Sequence, residues 1–328
     1  MTRHDHSPAS DLQPILIPES LHLQAAMRIL PAPPHEREIT AKRFLAGIRT
    51  SGIRLDNLYG ILDHAGEKPR VREACLAIEG PGRTAMLFIS HPDPNGDESD
   101  SRAVQERASC ISAATDCLDK RRVAISQALP EPHETWAIEA CKAAGFTHVG
   151  ELAYMELAIK QNPAKGKADL PEGIHVRPLQ DDLEPGSPDH DRLKRVLDSS
   201  YLDTNDCPEL CGLRDTDDVI ESHKATGLFD PSSWLLAFRD QQPVGCVLVS
   251  VVPETGSAEL VYIGLAVEGR GMGLGKALLR RAIEDLRDKR IGKLVCAVDR
   301  RNSPALAMYD AFGFNEFSAR DAWVKPNM

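Results

Sequence analysis

Residues Arg270, Gly271, Met272, Gly273, Leu274 and Gly275 form a loop in which three glycines alternate with longer side chains. The run Glu259 to Val267 before it reads as a strand. From about Gly273 to Lys289 the pattern is helical. Leu278, Leu279, Ala282, Ile283 and Leu286 make one apolar stripe, with Arg280, Arg281, Glu284, Asp285 and Arg287 on the other face. A strand, a glycine loop and an amphipathic helix in that order commit this part of the chain to an α/β arrangement. Without side chains at Gly271, Gly273 and Gly275, backbone N–H groups can turn toward one point. The helix adds its free first-turn N–H groups and the positive end of its dipole. Together they predict a cradle for a pyrophosphate, with Arg270 and Lys276 adding charge.

Two familiar phosphate motifs do not fit. A P-loop needs a glycine where Arg270 stands and a hydroxyl where Ala277 stands, so no side chain is there to hold magnesium. A dinucleotide fingerprint needs its last glycine one residue later than Gly275, and at the start of a βαβ unit. Here the strand comes late in an antiparallel-looking run.

The elements around the loop support this reading. Ile174–Leu179 alternates like a strand, and Asp189–Leu202 and Asp215–Thr226 read as helices. Strands are expected at Trp234–Phe238, Val244–Val252, Ala258–Val267, Leu294–Val298 and Phe314–Val324, with a short helix from Ser303, Pro304 to Gly313 and Ser303 as its N-cap. The first half has a similar order: a helix at Ile39–Arg49, strands at Leu55–Leu62, Ala74–Ile78 and Thr84–Ile89, a helix at Ser101–Asp119, a strand at Val123–Ala128, a helix at His133–Ala144 and a strand on to Ile159. Aligning Gly145, Phe146 with Gly313, Phe314 sets Ala137 on Ala305 and Ile138 on Leu306, which points to a diverged internal duplication. Expected boundaries are a disordered leader over 1–19, a first domain over 20–160, a breaker-rich linker over 161–172 and a second domain over 173–328.

With 328 residues and 42% apolar content the chain exceeds one ordinary core, which agrees with two domains. The net charge of −10 argues against general nucleic-acid binding. The longest apolar runs are far too short to cross a bilayer, and residues 1–8 lack the apolar segment of a secretory signal. Eight scattered cysteines suit a reduced, cytoplasmic compartment better than a disulfide scaffold. Cys207 and Cys211, with His190 or His223, lack the second Cys pair of a zinc site, so no metal is expected.

The second half resembles the GNAT acyltransferase superfamily. Its acetyl-CoA loop, Gln/Arg-x-x-Gly-x-Gly/Ala, is matched by Arg270, Gly273 and Gly275, and the stretch Asn302–Phe314 looks like the family's late helix. The resemblance covers about residues 173–328. It implies a tandem of α/β (α+β) domains, each a mixed, mostly antiparallel sheet flanked by helices. It further implies that acetyl-CoA is the co-substrate, that its pantetheine pairs with Ile263, Gly264 and Leu265, and that Asn302 contacts it. The implied reaction is direct acetyl transfer to a primary amine, with a small-molecule acceptor favoured over a protein N-terminus or lysine. Tyr309 matches the family's acid for the departing thiolate. Glu259, at the start of the strand before the loop, is the candidate base, and the same strand position is acidic in one tandem enzyme of the superfamily. The seven carboxylates between Asp203 and Glu221 raise the option of a cationic acceptor such as a polyamine or amino sugar; a solvated helix face explains them as well. A non-catalytic acyl-CoA sensor is the rival reading. The first half has the acidic loop His91–Asp100 in place of the glycine loop, Cys141 where the second has Tyr309, and Glu134 where it has Asn302. It is expected to be catalytically dead.

Overall fold

A computed structural model of the chain describes residues 13–50, 53–93, 100–159 and 169–327. Most of the expected leader, residues 94–99 of the acidic loop and residues 161–168 of the expected linker lie outside the described residues.

Two runs of elements follow one another in the same order. The first is β1 (Ile15–Leu16), α1 (His22–Ile29), α2 (Arg37–Thr50), β2 (Leu58–Asp63), β3 (Arg70–Gly80), β4 (Thr84–Ile89), α3 (Ser101–Asp119), β5 (Ile125–Ala128), α4 (Thr135–Ala143) and β6 (Thr147–Ala158). The second is β7 (Ile174–Pro178), α5 (Pro188–Ser200), α6 (Thr216–Lys224), β8 (Trp234–Arg239), β9 (Gln242–Val252), β10 (Ser257–Leu265), α7 (Leu274–Asp288), β11 (Lys293–Asp299), α8 (Ser303–Ala311) and β12 (Asn315–Pro326).

The compact units do not coincide with these runs. One unit holds the residues up to His148 together with Asp321–Met328, and the other is Val149–Arg320. In the first unit the strands lie in the order β1-β2-β3-β4-β5, and the end of β12 completes them, Trp323–Pro326 pairing antiparallel with β5. In the second the order is β6-β11-β10-β9-β8-β7. Here β6, from the first run, completes the sheet by pairing antiparallel with β11 from Lys293↔Ala158 to Asp299↔Leu152. Each run thus gives its last strand to the other unit. The parallel pairings are β4 with β5 and β10 with β11, so each unit is a mixed, mostly antiparallel sheet flanked by helices.

Both faces of the second unit's sheet are packed, by different helices. On one, α7 and α8 close over Ala258, Leu260, Leu294, Cys296 and Val298, together with Ala153, Met155 and Leu157 of β6. On the other, α5 and α6 bury Trp234, Leu236, Cys246 and Leu248 with Leu193, Leu197 and Ile220. Asn302, not Ser303, caps α8: its side chain accepts from Ala305 N–H, and Pro304 sits in the first turn, where it costs no hydrogen bond. The eight cysteines are free thiols. Among the described residues no helix is long and apolar enough to cross a membrane, and no group of three or more His, Cys, Asp or Glu side chains is placed to hold a metal.

Candidate functional site

The site begins where β10 leaves β11. Pairing of β10 with β9 runs from Ser257↔Val252 to Leu265↔Gly245, with a bulge between Leu260 and Tyr262. Pairing with β11 stops after Ala258↔Leu294 and Glu259↔Val295. A bulge bends its strand and increases the local twist, so β10 swings away from β11 beyond Glu259. The edge of β10 that includes Ile263, Gly264 and Leu265 therefore faces a gap with backbone groups that no neighbouring strand takes up.

At the end of β10 the chain makes a short 3-10 turn, Val267–Gly269, and enters the glycine loop. A Cβ at Gly269 would stand 2.4 Å from Val244 O, so only glycine lets the turn lie this close to β9. Gly271 and Gly273 have φ of 77° and 83°, left-handed backbone that side chains other than glycine's rarely adopt. Gly273 is the N-cap of α7 and offers no side-chain cap. The last amides of the turn, Gly269 and Arg270, bond back to Ala266 O and Val267 O, and the next bonded amide is Ala277, to Gly273 O. The six amides from Gly271 to Lys276 thus have no acceptor among the described residues. They lie at the positive end of a helix of 15 residues, an arrangement built for an anion with several oxygens, such as a diphosphate.

The side chains of the loop divide into anchors and a charge. Leu274 is fully buried in the core under α7. Met272 is half-buried and takes the Arg239 guanidinium against its sulfur at 2.9 Å. Arg270 does not extend toward the cradle. Its guanidinium donates to Leu265 O at 3.3 Å, Ser200 O at 3.1 Å and Leu202 O at 2.8 Å. It is a strut between the loop and the C-terminal end of α5, where Val267 N–H also meets Ser199 Oγ at 3.4 Å. The charge expected from Arg270 is therefore spent on carbonyls, and Lys276, exposed on the first turn of α7, has no partner among the described residues. A Cβ at Gly275 would lie 3.7 Å from both Leu265 and Met308, so the loop, the end of β10 and α8 meet there.

Tyr309, on α8, is 4% exposed and packs against Phe314 with ring centroids 5.1 Å apart. Burial, then the neighbouring Cys296 thiol and Asp206, push its phenol well above the ordinary tyrosine range, so it holds its proton. Glu259 lies half-buried on the opposite face of the sheet. Burial raises its carboxyl, and no cation or donor is paired with it among the described residues. Glu259 thus lies at the last β10–β11 pair, beside the gap, and the phenol lies on the opposite face, in the core under α7 and α8. A proton acceptor on one side and a proton donor on the other suit a group transfer that passes through that gap.

Sequence reasoning missed the network that fixes the loop between α5 and α6. Asp299, 0% exposed at the end of β11, accepts Cys207 N–H at 3.0 Å and Arg301 N–H at 2.8 Å. Its own N–H donates to Asp206 at 2.8 Å. Burial alone would raise the Asp299 carboxyl, but Arg301 and these amides hold it below the usual range. Arg301 also grips Glu209 with two bonds of 2.7 and 2.9 Å. Asp217 pairs with Lys194 at 2.7 Å and Glu221 with Lys224 at 3.3 Å, while Asp218 too is engaged. Five of the seven carboxylates between Asp203 and Glu221 are thus occupied within the fold, and the remaining two, Asp203 and Asp215, are exposed. The solvated and structural account of this acidic stretch is the one the geometry supports.

Residues 199–314 match the model of the acetyltransferase (GNAT) family. The chain is 28% identical over 184 residues to a mycothiol acetyltransferase of Thermomonospora curvata, covering 56% of this chain and 58% of that one. It is 30% identical over 187 residues to that of Paenarthrobacter aurescens, covering 56% and 54%. The matched part is thus less than two thirds of either relative's length. Among solved structures, a GCN5-related N-acetyltransferase from Sphaerobacter thermophilus superposes with a TM-score of 0.57 over 87% of this chain and 85% of that one, at 16% identity. A tandem GNAT protein from the clavulanic acid biosynthesis pathway does so with 0.51 over 96% and 98%, also at 16% identity; at such identities the likeness is one of fold. Residues 199–314 thus match the acetyltransferase (GNAT) family, and the chain resembles the mycothiol acetyltransferases while sharing the fold of a tandem GNAT protein.

Proposed function

We propose that the second unit transfers an acetyl group from acetyl-CoA directly to a primary amine of a small molecule. The observation that carries this is the run of six amides without acceptors at the start of α7, set beside a strand edge that has left its neighbour. The amides of Gly271 to Lys276 hold the pyrophosphate, and Lys276 adds charge. The free edge at Ile263, Gly264 and Leu265 pairs with the pantetheine amides and draws the thioester into the gap, with Asn302 at its side. Glu259, with its raised carboxyl, takes a proton from the acceptor ammonium. Tyr309, with its retained proton, supplies one to the sulfur as the thiolate leaves. The matched family and the names of the relatives support an acetyltransferase.

Two of these parts have no counterpart among the described residues of the first unit. Cys141, fully buried, stands where the repeat sets Tyr309, and Glu134 stands where it sets Asn302. Its role is that of a scaffold.

Incubating the full chain with acetyl-CoA and a panel of primary amines, and following free thiol, tests the reading; no thiol above hydrolysis with any amine rejects it. Two variants read its parts. Gly273→Val puts a β-branched residue into left-handed backbone at a cost of about 1–3 kcal/mol and disturbs the cradle. Acetyl-CoA affinity, measured by calorimetry, is expected to fall about tenfold, the equivalent of about 1.4 kcal/mol. Tyr309→Phe is expected to lower kcat about a hundredfold with acetyl-CoA affinity retained, and equal kcat for both proteins would remove Tyr309 from the mechanism.

A further inference from the structure

Glu259 does not stand alone on its face of the sheet. In the register of the second unit Glu259 lies level with Val295, and Val295 with Glu156 of β6. One step on, toward the gap, Ala297 lies level with Tyr154. Ala258, Leu260, Leu294, Cys296, Ala153 and Met155 all enter the core under α7 and α8. Strand alternation therefore sends Glu259, Val295, Ala297 and Tyr154 to the other face. At strand spacings of about 4.8 Å and rises of about 3.3 Å, the Cα atoms of Glu259 and Tyr154 are about 12 Å apart on a diagonal. The floor between them is low: Val295 is half-buried and Ala297 exposed.

The walls of this floor have unused chemistry. Neither the Glu259 carboxylate nor the Tyr154 hydroxyl has a hydrogen-bond or ion-pair partner among the described residues. Burial raises the Tyr154 phenol, Arg320 opposes it, and the Glu259 charge adds a smaller rise. Phe317 of β12 packs edge-on against Tyr154, with centroids 6.3 Å apart at 79°, yet remains 54% exposed. The other acids nearby are committed, Glu156 to Lys293 at 3.2 Å and Glu151 to Arg300. One carboxylate, one phenol hydroxyl and one open aromatic wall therefore surround a shallow floor at the mouth of the gap.

We infer that this floor seats the acceptor as a monocation: Glu259 and the Tyr154 hydroxyl each take one N–H of its ammonium, and Phe317 lines an apolar or aromatic flank beside the amine. The inference rests on the transfer reading above and names the acceptor class: a primary amine with one charge near the reacting nitrogen and an apolar side, not a polyamine. Among the described acids beside the floor, Glu156 and Glu151 are already paired to Lys293 and Arg300 and leave a second ammonium no free carboxylate. An apolar flank on Phe317 gains from leaving water and from the ring face, while the ammonium replaces water on two groups that the fold leaves unsatisfied.

The test uses the full chain, acetyl-CoA and three amines of equal reactivity class: 2-phenylethylamine, ethanolamine and spermidine. Thiol release is expected to give kcat/KM about tenfold or more higher for 2-phenylethylamine than for the other two, the scale of one apolar contact. Phe317→Ala is expected to abolish that preference by lowering kcat/KM for 2-phenylethylamine about tenfold more than for ethanolamine, and Phe317→Leu to restore most of it. Tyr154→Phe is expected to raise KM for all three amines about tenfold, the scale of a hydrogen bond to a charged group, with kcat and acetyl-CoA affinity unchanged. A preference for spermidine, an equal loss for every amine in Phe317→Ala, or an unchanged KM in Tyr154→Phe would each overturn the assignment while the transfer reading stands. Absence of thiol release with every amine rejects the transfer reading, and this inference with it.

Discussion

Replacing Glu259 by Gln is expected to lower kcat about 10²- to 10⁴-fold, the usual contribution of a positioned general base, while the protein becomes more resistant to heat at neutral pH. The two effects have one cause. Glu259 is half-buried without a cation, and burial raises its carboxyl above the ordinary glutamate value of about 4.3. In the unfolded chain it ionises near that ordinary value. Between the two values the folded state binds more protons than the unfolded state, so stability falls as pH rises through this window. Above the raised value the native protein carries the full cost of a half-buried charge. Gln has nearly the same shape and no charge, so the variant avoids that cost. Thermal melts at pH 7.5 are expected to show a higher Tm for Glu259→Gln, and melts at pH 4 to show the difference shrinking toward zero. Wild-type turnover is expected to fall on the acid side through the same raised value, since only the carboxylate accepts a proton. A variant that keeps wild-type kcat, or that is less stable at pH 7.5, would mean that Glu259 is a structural residue.

Much of the second unit was legible in the sequence because its signals are local. The alternation of β8 to β10, the apolar stripe of α7 and the glycines at 271, 273 and 275 each report the backbone conformation of their own segment. The same is true of α3 and β4, whose observed bounds, Ser101–Asp119 and Thr84–Ile89, are those expected. The short helix α1, His22–Ile29, was not anticipated: eight residues between prolines show too little of a helical period to be told from a loop. What a side chain does once the chain is folded was harder to read. Arg270 sits in a motif position that invites a phosphate role, but its guanidinium lies within reach of carbonyls at the end of α5, about seventy residues away, and turns there. The acids between Asp203 and Glu221 read in sequence as a solvated face or an anionic cover, and only their partners in α5, α6 and the turn after β11 separate the two. Tyr154 could not be found at all, because it belongs to the first repeat in sequence and to the second unit in space. Alternation tells which face of a strand is buried, not which strand lies beside it.

That exchange of strands predicts the outcome of a dissection that the sequence alone would recommend. A fragment of residues 173–328 follows the second repeat, and it is expected not to fold cooperatively. It lacks β6, whose seven register pairs with β11, from Lys293↔Ala158 to Asp299↔Leu152, close the second unit's sheet. It also removes Ala153, Met155, Leu157 and Ile159 from the core under α7 and α8, each at most 8% exposed in the full chain. Burying a Leu, Ile or Met side chain is worth about 1.5–3 kcal/mol, so three of them amount to several kcal/mol. That is comparable with the whole stability of an ordinary domain, about 5–15 kcal/mol. The edge of β11 left bare would be long and apolar on one face, the kind of edge that pairs with other chains. At the same time the fragment keeps residues 321–328, whose pairing with β5 belongs to the first unit and which would have nothing to join. A fragment spanning residues 149–320 follows the compact unit instead, and it keeps β6, Tyr154 and the full floor beside Glu259. Circular dichroism melts are expected to show a broad, non-cooperative transition or aggregation for 173–328 and a sigmoidal one for 149–320. A cooperative melt with wild-type thiol release from the 173–328 fragment would show that β6 is dispensable, and would place the acceptor floor elsewhere.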